Sequence, residues 1–144
     1  MRFVLDILRT KGNVVWSIGP DNTVFEALQM MAAKNVGALL VMVGEKPIGI
    51  FSERDYARKV ILAGRSSLNT RVKEIMTERL YAVHPDQTLD ECMALMTEYR
   101  TRHLPVMDGS RLVGLISIGD IVRQIISDQH HEIEQLENYV LGRR

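Results

Sequence analysis

One internal repeat constrains this 144-residue sequence more tightly than its composition does. Residues 18–58, beginning IGPDNT and ending SERDYAR, lie without a gap on residues 83–123, beginning VHPDQT and ending SIGDIVR, at an offset of 65. The matches include Pro20/Pro85, Thr23/Thr88, Glu26/Glu91, Gly44/Gly109, Gly49/Gly114, Ser52/Ser117, Asp55/Asp120 and Arg58/Arg123. A gapless register implies duplication, so the chain has to bury two copies of one small unit.

Each copy reads as a short strand, a helix, a two-stranded hairpin and a second helix. Thr23 and Thr88 stand three residues before Glu26 and Glu91, the spacing of a capping box. Val24, Leu28 and Met31, and in the second copy Leu89, Met93 and Met96, then recur at helical spacing as a core stripe. ALLVMVGEKPIGIFS and HLPVMDGSRLVGLIS each hold two apolar runs around a Gly-containing turn, which predicts a hairpin. Matching lead-in turns, VLDIL and VKEIM, precede the copies at an offset of 68. The first copy therefore carries three extra residues within RTKGN.

Eighteen basic and eighteen acidic residues leave no global field to hold nucleic acid or an anionic membrane, so neither is an expected partner. No apolar stretch approaches the ~18–20 residues of a membrane span. The opening MRFVLDILRTKGN lacks the pattern of a secretory signal, and the lone Cys92 forms no internal disulfide. A reducing cytoplasm is the expected compartment.

NVGALLV, TRHLPV, the IMT lead-in and the repeated G-h-h-S-x-x-D (h apolar) resemble a tandem pair of CBS domains, the module named for cystathionine beta-synthase. The chain looks like a stand-alone CBS pair of bacterial type. The resemblance implies a mixed α/β (α+β) fold of two pseudo-twofold-related repeats. Each would be a small three-stranded sheet with two helices, packed sheet to sheet. The expected division is residues 1–65 with the first lead-in, 66–128 with the second, and a C-terminal amphipathic helix over 129–144.

Two such repeats make two clefts, and CBS pairs commonly bind adenosyl ligands there. Asp55 and Asp120 fall in the first turn of the helix after each hairpin, where a carboxylate can accept both hydroxyls of a ribose. Ser52 and Ser117 lie three residues earlier. Ser-x-x-Asp is also an ordinary cap; its duplication after a hairpin favours ribose binding, with the serines serving either purpose.

By family analogy the Asp55 cleft takes Ile50, Ser52 and Asp55 with Thr77, Leu80, Thr101, Arg102 and His103; Thr77 and Leu80 would border adenine. The Asp120 cleft takes Leu115, Ser117 and Asp120 with Gly12, Asn13, Val14, Val36, Gly37 and Ala38. Cations are uneven: Arg100, Arg102 and His103 stand where the first copy has Asn35, Gly37 and Ala38, and Arg54 and Arg58 follow the first motif. Two nonequivalent sites are expected, with Arg54, Arg102 and His103 as phosphate ligands.

No nucleophile, base or metal set accompanies the aspartates, so no enzyme, catalytic cofactor or metal is expected. HHEIE lacks the second histidine of a zinc helix, and Cys92 reads as a buried structural residue. Ile121, Ile125, Ile133, Leu136 and Val140 form an apolar stripe on a helix running past the second motif, which suggests a homodimer. The expected function is a non-catalytic regulatory module that binds AMP, ADP, ATP or NAD(H) as an energy or redox sensor and acts on a separate, unidentified effector protein. The alternative is a structural dimerisation module with vestigial clefts.

Overall fold

A computed structural model describes residues 2–142. Helix α1 (Val4–Lys11) leads into strand β1 (Ser17–Ile18), helix α2 (Val24–Lys34) and the hairpin β2 (Ala38–Val43) and β3 (Lys46–Ser52). Helix α3 (Glu53–Tyr56) then rewinds into a wider π turn, Ala57–Ile61. The second copy follows as α4 (Val72–Ile75), α5 (Leu89–Tyr99), the hairpin β4 (His103–Asp108) and β5 (Arg111–Ser117), and the long helix α6 (Ile118–Val140). The chain is thus a mixed helix-and-strand fold built on two small sheets.

Local chemistry repeats with the sequence. Thr23 and Thr88 cap α2 and α5 through hydroxyls that accept the amides of Glu26 and Glu91 at 3.1 and 3.2 Å. Both hairpins turn on a glycine with positive φ, Gly44 (60°) and Gly109 (63°), and both shift register after a valine, at Val41/Met42 and Val106/Met107. The sheets differ in one respect. Strand β1 pairs parallel with β2, whereas the expected third strand of the second copy shrinks to a bridge at Val83. Leu40 donates its amide to the Trp16 carbonyl at 3.3 Å; its counterpart Pro105 has no N–H to offer Tyr81, so the ladder stops.

The lead-in helices are exchanged between the copies. Val4, Ile7 and Leu8 of α1 lie in the core of the second copy, with Leu89, Cys92, Leu104 and Ile116. Val72 and Ile75 of α4 lie in the core of the first, with Val24, Leu39 and Phe51. Backbone bonds hold both, Val4 N–H to Gln87 O and Val72 N–H to Asn22 O, each at 2.9 Å. Covalent division near residue 65 therefore does not separate the two cores. Between the sheets, Ala38, Leu40 and Ile50 of the first copy pack with Leu112 and Leu115 of the second, a direct sheet-to-sheet contact.

The motif glycines are where the exchanged segments cross. A Cβ on Gly49 would lie 2.8 Å from Met76 Sδ and 2.9 Å from the Thr77 carbonyl oxygen; one on Gly114 would lie 2.5 Å from Leu8 Cδ2. Cys92 is buried, and that burial pushes its thiol up to about 11, so it stays a neutral packing group. Among the described residues no helix is long and apolar enough to cross a membrane.

Candidate functional site

Asp55 is only 7% exposed, so every hydrogen-bond acceptor on its carboxylate needs a partner. Oδ2 accepts the Ser52 amide and hydroxyl, both at 3.0 Å, and the Asp55 amide returns a bond to Ser52 Oγ at 3.2 Å. Oδ1 faces the other copy and accepts the Thr77 hydroxyl at 3.1 Å. Lys59, carried by the π turn, approaches the same oxygen at 2.9 Å. The motif is therefore a helix cap on one side and a polar floor on the other.

That floor opens into a cavity of about 720 Å³. Ile50, Ser52, Arg54, Asp55, Thr77, Thr101, Arg102 and His103 all line it, together from both copies. Thr77 is held there by a two-way backbone pair with Ile50, 2.9 Å in each direction. Leu80, expected at an adenine edge, packs instead into the sheet-to-sheet contact beside Ala38, Leu40 and Ile50.

Several lining groups were not among the expected ligands: Arg58, Lys59, Arg79, Tyr81, Tyr99 and Arg100. The two tyrosines stack with ring centroids 3.9 Å apart and planes 13° from parallel, forming an aromatic wall. Their counterparts at the 65-residue offset are Trp16 and Lys34, which also meet, with Lys34 Nζ 4.3 Å from the Trp16 ring centre. A shared position carrying aromatics in both copies was the available signal, and Lys59 four residues after Asp55 was another. Five lining guanidinium groups, Arg54, Arg58, Arg79, Arg100 and Arg102, have no carboxylate within 4.0 Å among the described residues. Six basic side chains share this lining with only three acidic ones, Glu53, Asp55 and Glu98.

The Asp120 side is built differently. Asp120 is 6% exposed; Oδ2 accepts the Ser117 amide at 2.8 Å, and Ser117 Oγ accepts the Asp120 amide at 3.1 Å. The three extra residues let α1 continue where its counterpart stops at Ile75, and the helix ends at Gly12 with φ 89°. This delivers Lys11 Nζ to Asp120 Oδ2 at 2.7 Å and to the Leu115 carbonyl at 2.8 Å. Arg123 takes Oδ1 at 2.6 Å. Burial pushes the Asp120 carboxyl up, but Lys11, the Ser117 amide and Arg123 outweigh it and hold the group below its ordinary range.

The other residues expected in this second cleft are dispersed. Asn13 and Val14 are exposed beyond α1. Val36 and Gly37 line a separate cavity of about 490 Å³ beside α2 with Asn35, Glu53 and Tyr56, and Gly37 also borders the Asp55 cavity. Ala38 is buried between the sheets. His103 pairs in register with Ser117 yet lines the Asp55 cavity, so it sits between the two aspartates. Burial pushes its imidazole below the ordinary value, and Lys11 and Arg102 add to that effect against the pull of Asp120 and Asp55.

Comparison with known proteins agrees with this architecture. A family model described as CBS domain matches residues 4–61 and 72–127. A mitochondrial CBS domain-containing protein of Arabidopsis thaliana, CBSX3, is 40% identical over 96% of this chain and 72% of its own length. The solved structure of a putative signal-transduction protein with CBS domains from Burkholderia ambifaria is 52% identical, with a TM-score of 0.84 over 88% of this chain and 96% of that one. The CBS domain pair of protein MJ0100, solved with 5′-methylthioadenosine and S-adenosyl-L-methionine, is 25% identical with a TM-score of 0.77, over 89% of this chain and 98% of that one. Duplicated sequence, exchanged lead-in helices, matched family model and superposable structures lead to one conclusion: the chain belongs to the CBS domain family, as a tandem pair.

Proposed function

We propose that this CBS pair is a non-catalytic regulatory module that binds an adenine nucleotide carrying more than one phosphate, ATP, ADP or NAD(H), in the Asp55 cavity. The observation that carries the reading is the set of five guanidinium groups without carboxylate partners around one cavity with an aromatic wall. A cationic rim of this kind suits phosphates, because guanidinium groups form charge-assisted, bidentate bonds to them. Asp55 Oδ1, freed from Lys59, is placed to accept ribose hydroxyls while Lys59 turns to phosphate. The tyrosine wall supplies an apolar face for a base. A relative that binds S-adenosyl-L-methionine and 5′-methylthioadenosine supports adenosine recognition. The cation excess favours phosphate over a sulfonium ligand here.

Occupancy would cross-link the two copies through Asp55 on one side and Thr101 and Arg102 on the other. A partner protein then reads the change in rigidity or in the angle between the copies. We place the module in a reducing compartment such as the cytoplasm, in keeping with its single buried thiol, and as a homodimer. The two clefts are not equivalent. Asp120 already spends both oxygens on Lys11, Arg123 and the Ser117 amide, which favours a structural role for that side.

Calorimetric titration with AMP, ATP and NADH tests the reading. ATP or NADH is expected to bind more tightly than AMP, with affinity falling as salt screens the rim. Asp55→Ala and Arg102→Ala should each weaken binding at least about tenfold, equivalent to ~1.4 kcal/mol, while Asp120→Ala should change it little. Absence of heat with all three ligands would instead support a structural dimerisation module with vestigial clefts.

A further inference from the structure

All of the roughly four acceptor positions on the Asp55 carboxylate are taken. Oδ2 holds the Ser52 amide and hydroxyl, and Oδ1 holds the Thr77 hydroxyl and the Lys59 ammonium. The first three donors are fixed, because Ser52 caps α3 and paired backbone bonds tie Thr77 to Ile50. Lys59 reaches in from the middle of the π turn, a kind of turn frequent at functional sites, and its side chain is 44% exposed. The three N–H donors of its ammonium match three acceptors: Asp55 Oδ1, the Ile75 carbonyl at 3.1 Å and Thr77 Oγ1 at 3.3 Å. The fold itself does not call for this contact. At the 65-residue offset stands Gln124, which bonds Asp128 instead of Asp120.

We infer that Lys59 is the residue that makes this cavity select phosphorylated nucleotides against free nucleosides. The inference rests on the reading of the cavity as a nucleotide site and names what sets its selectivity. With every acceptor position filled and the other donors fixed, a ribose hydroxyl reaches Oδ1 only by replacing Lys59. The displaced ammonium loses three partners together. It also enters a rim of Arg54, Arg58, Arg79, Arg100 and Arg102, whose like charge repels it. A phosphate supplies the ammonium with a charge-assisted partner and offsets that repulsion. A nucleoside supplies nothing, so its ribose competes with the lysine uncompensated. The guanidinium groups by themselves attract phosphate but do not oppose a nucleoside. Lys59 does both, and a penalty on the wrong ligand is what turns affinity into selectivity.

The experiment is calorimetric titration of the whole protein with ATP and with adenosine, for the native chain, Lys59→Met and Arg102→Ala. Methionine keeps an unbranched stem without the charge, and Asp55 keeps its other three donors, so a native melt by circular dichroism is expected. Lys59→Gln, which installs the residue type of the second copy, replaces the methionine variant if that one does not fold. The native chain is expected to bind ATP far more tightly than adenosine. Lys59→Met should weaken ATP about tenfold and tighten adenosine about tenfold, narrowing the ratio about a hundredfold. Arg102→Ala should weaken ATP and leave adenosine unchanged. Adenosine binding that stays undetectable or unchanged in the Lys59 variant makes Lys59 a phosphate ligand only; it overturns this inference and leaves the nucleotide reading standing. Adenosine tightened equally by Arg102→Ala overturns it too, because the rim as a whole then sets the selectivity. A native chain that binds neither ligand overturns the nucleotide reading and this inference with it.

Discussion

At the scale of single residues, the two motif aspartates show how identical chemistry acquires different surroundings. Both are capping-box partners of a serine three residues earlier, and that local role follows from spacing alone. Asp55 leaves one oxygen to the Thr77 hydroxyl and Lys59, whereas Asp120 is locked by Lys11 and Arg123. His103, between them, has its imidazole pushed below the ordinary 6.5 by burial first and by Lys11 next. In the unfolded chain the same imidazole takes up a proton near its ordinary value, so the unfolded state binds more protons in the window below it. Stability must then fall as pH drops through about 6.5 toward the depressed value, and Asp120 adds a further loss only below the ordinary carboxylate range. His103→Asn is expected to flatten the melting temperature between about pH 7 and pH 5. Melts across that range check it, and an unchanged slope refutes the assignment.

At the scale of elements, the hairpins and capped helices were legible because their signals are short-range: a glycine at the turn, a threonine three residues before a glutamate, apolar residues at helical spacing. The missing third strand of the second copy was also written in the chain, in Pro105, yet only the pairing of Leu40 with Trp16 in the first copy shows which bond that proline removes. Gly49 gave no local hint of its purpose. It admits Met76 and the Thr77 carbonyl against β3, and so positions the hydroxyl that meets Asp55. Gly49→Ala is expected to cost about 1–3 kcal/mol by overpacking, and to weaken nucleotide binding along with stability because the Thr77 backbone has to move. Chemical denaturation gives the first quantity. A loss below about 0.5 kcal/mol would mean that the crossing is looser than its geometry implies.

At the scale of the whole molecule, the exchange of lead-in helices makes the two copies one cooperative unit. Val4, Ile7 and Leu8 are buried in the second copy's core although they precede the first, and burying three such side chains contributes on the order of 5 kcal/mol. That is comparable to the whole stability of a small domain. Fragments 1–65 and 66–144, each lacking part of its core, are therefore expected to be unfolded apart and to regain helical circular dichroism when mixed. A cooperative melt from either fragment alone would show that the exchange is dispensable.

The sequence by itself determined the duplication, the capping boxes, the hairpins, the core stripes and the family, because each depends on neighbours a few residues apart or on the chain's likeness to itself. Resemblance to the family, not self-likeness, grouped Ser52, Asp55, Arg102 and His103, and the structure places all four around one cavity. Only the tertiary structure decided that Lys11 reaches across 109 positions to Asp120, that Tyr81, Tyr99 and Arg79 complete the Asp55 cavity, and that Leu80 and Ala38 belong to the contact between sheets. It also divided the expected α6 stripe, packing Ile121 and Ile125 against the second copy and leaving Ile133, Leu136 and Val140 exposed. Such choices depend on which surfaces meet once the lead-in helices have crossed, and a long-range meeting leaves no period in the sequence to read.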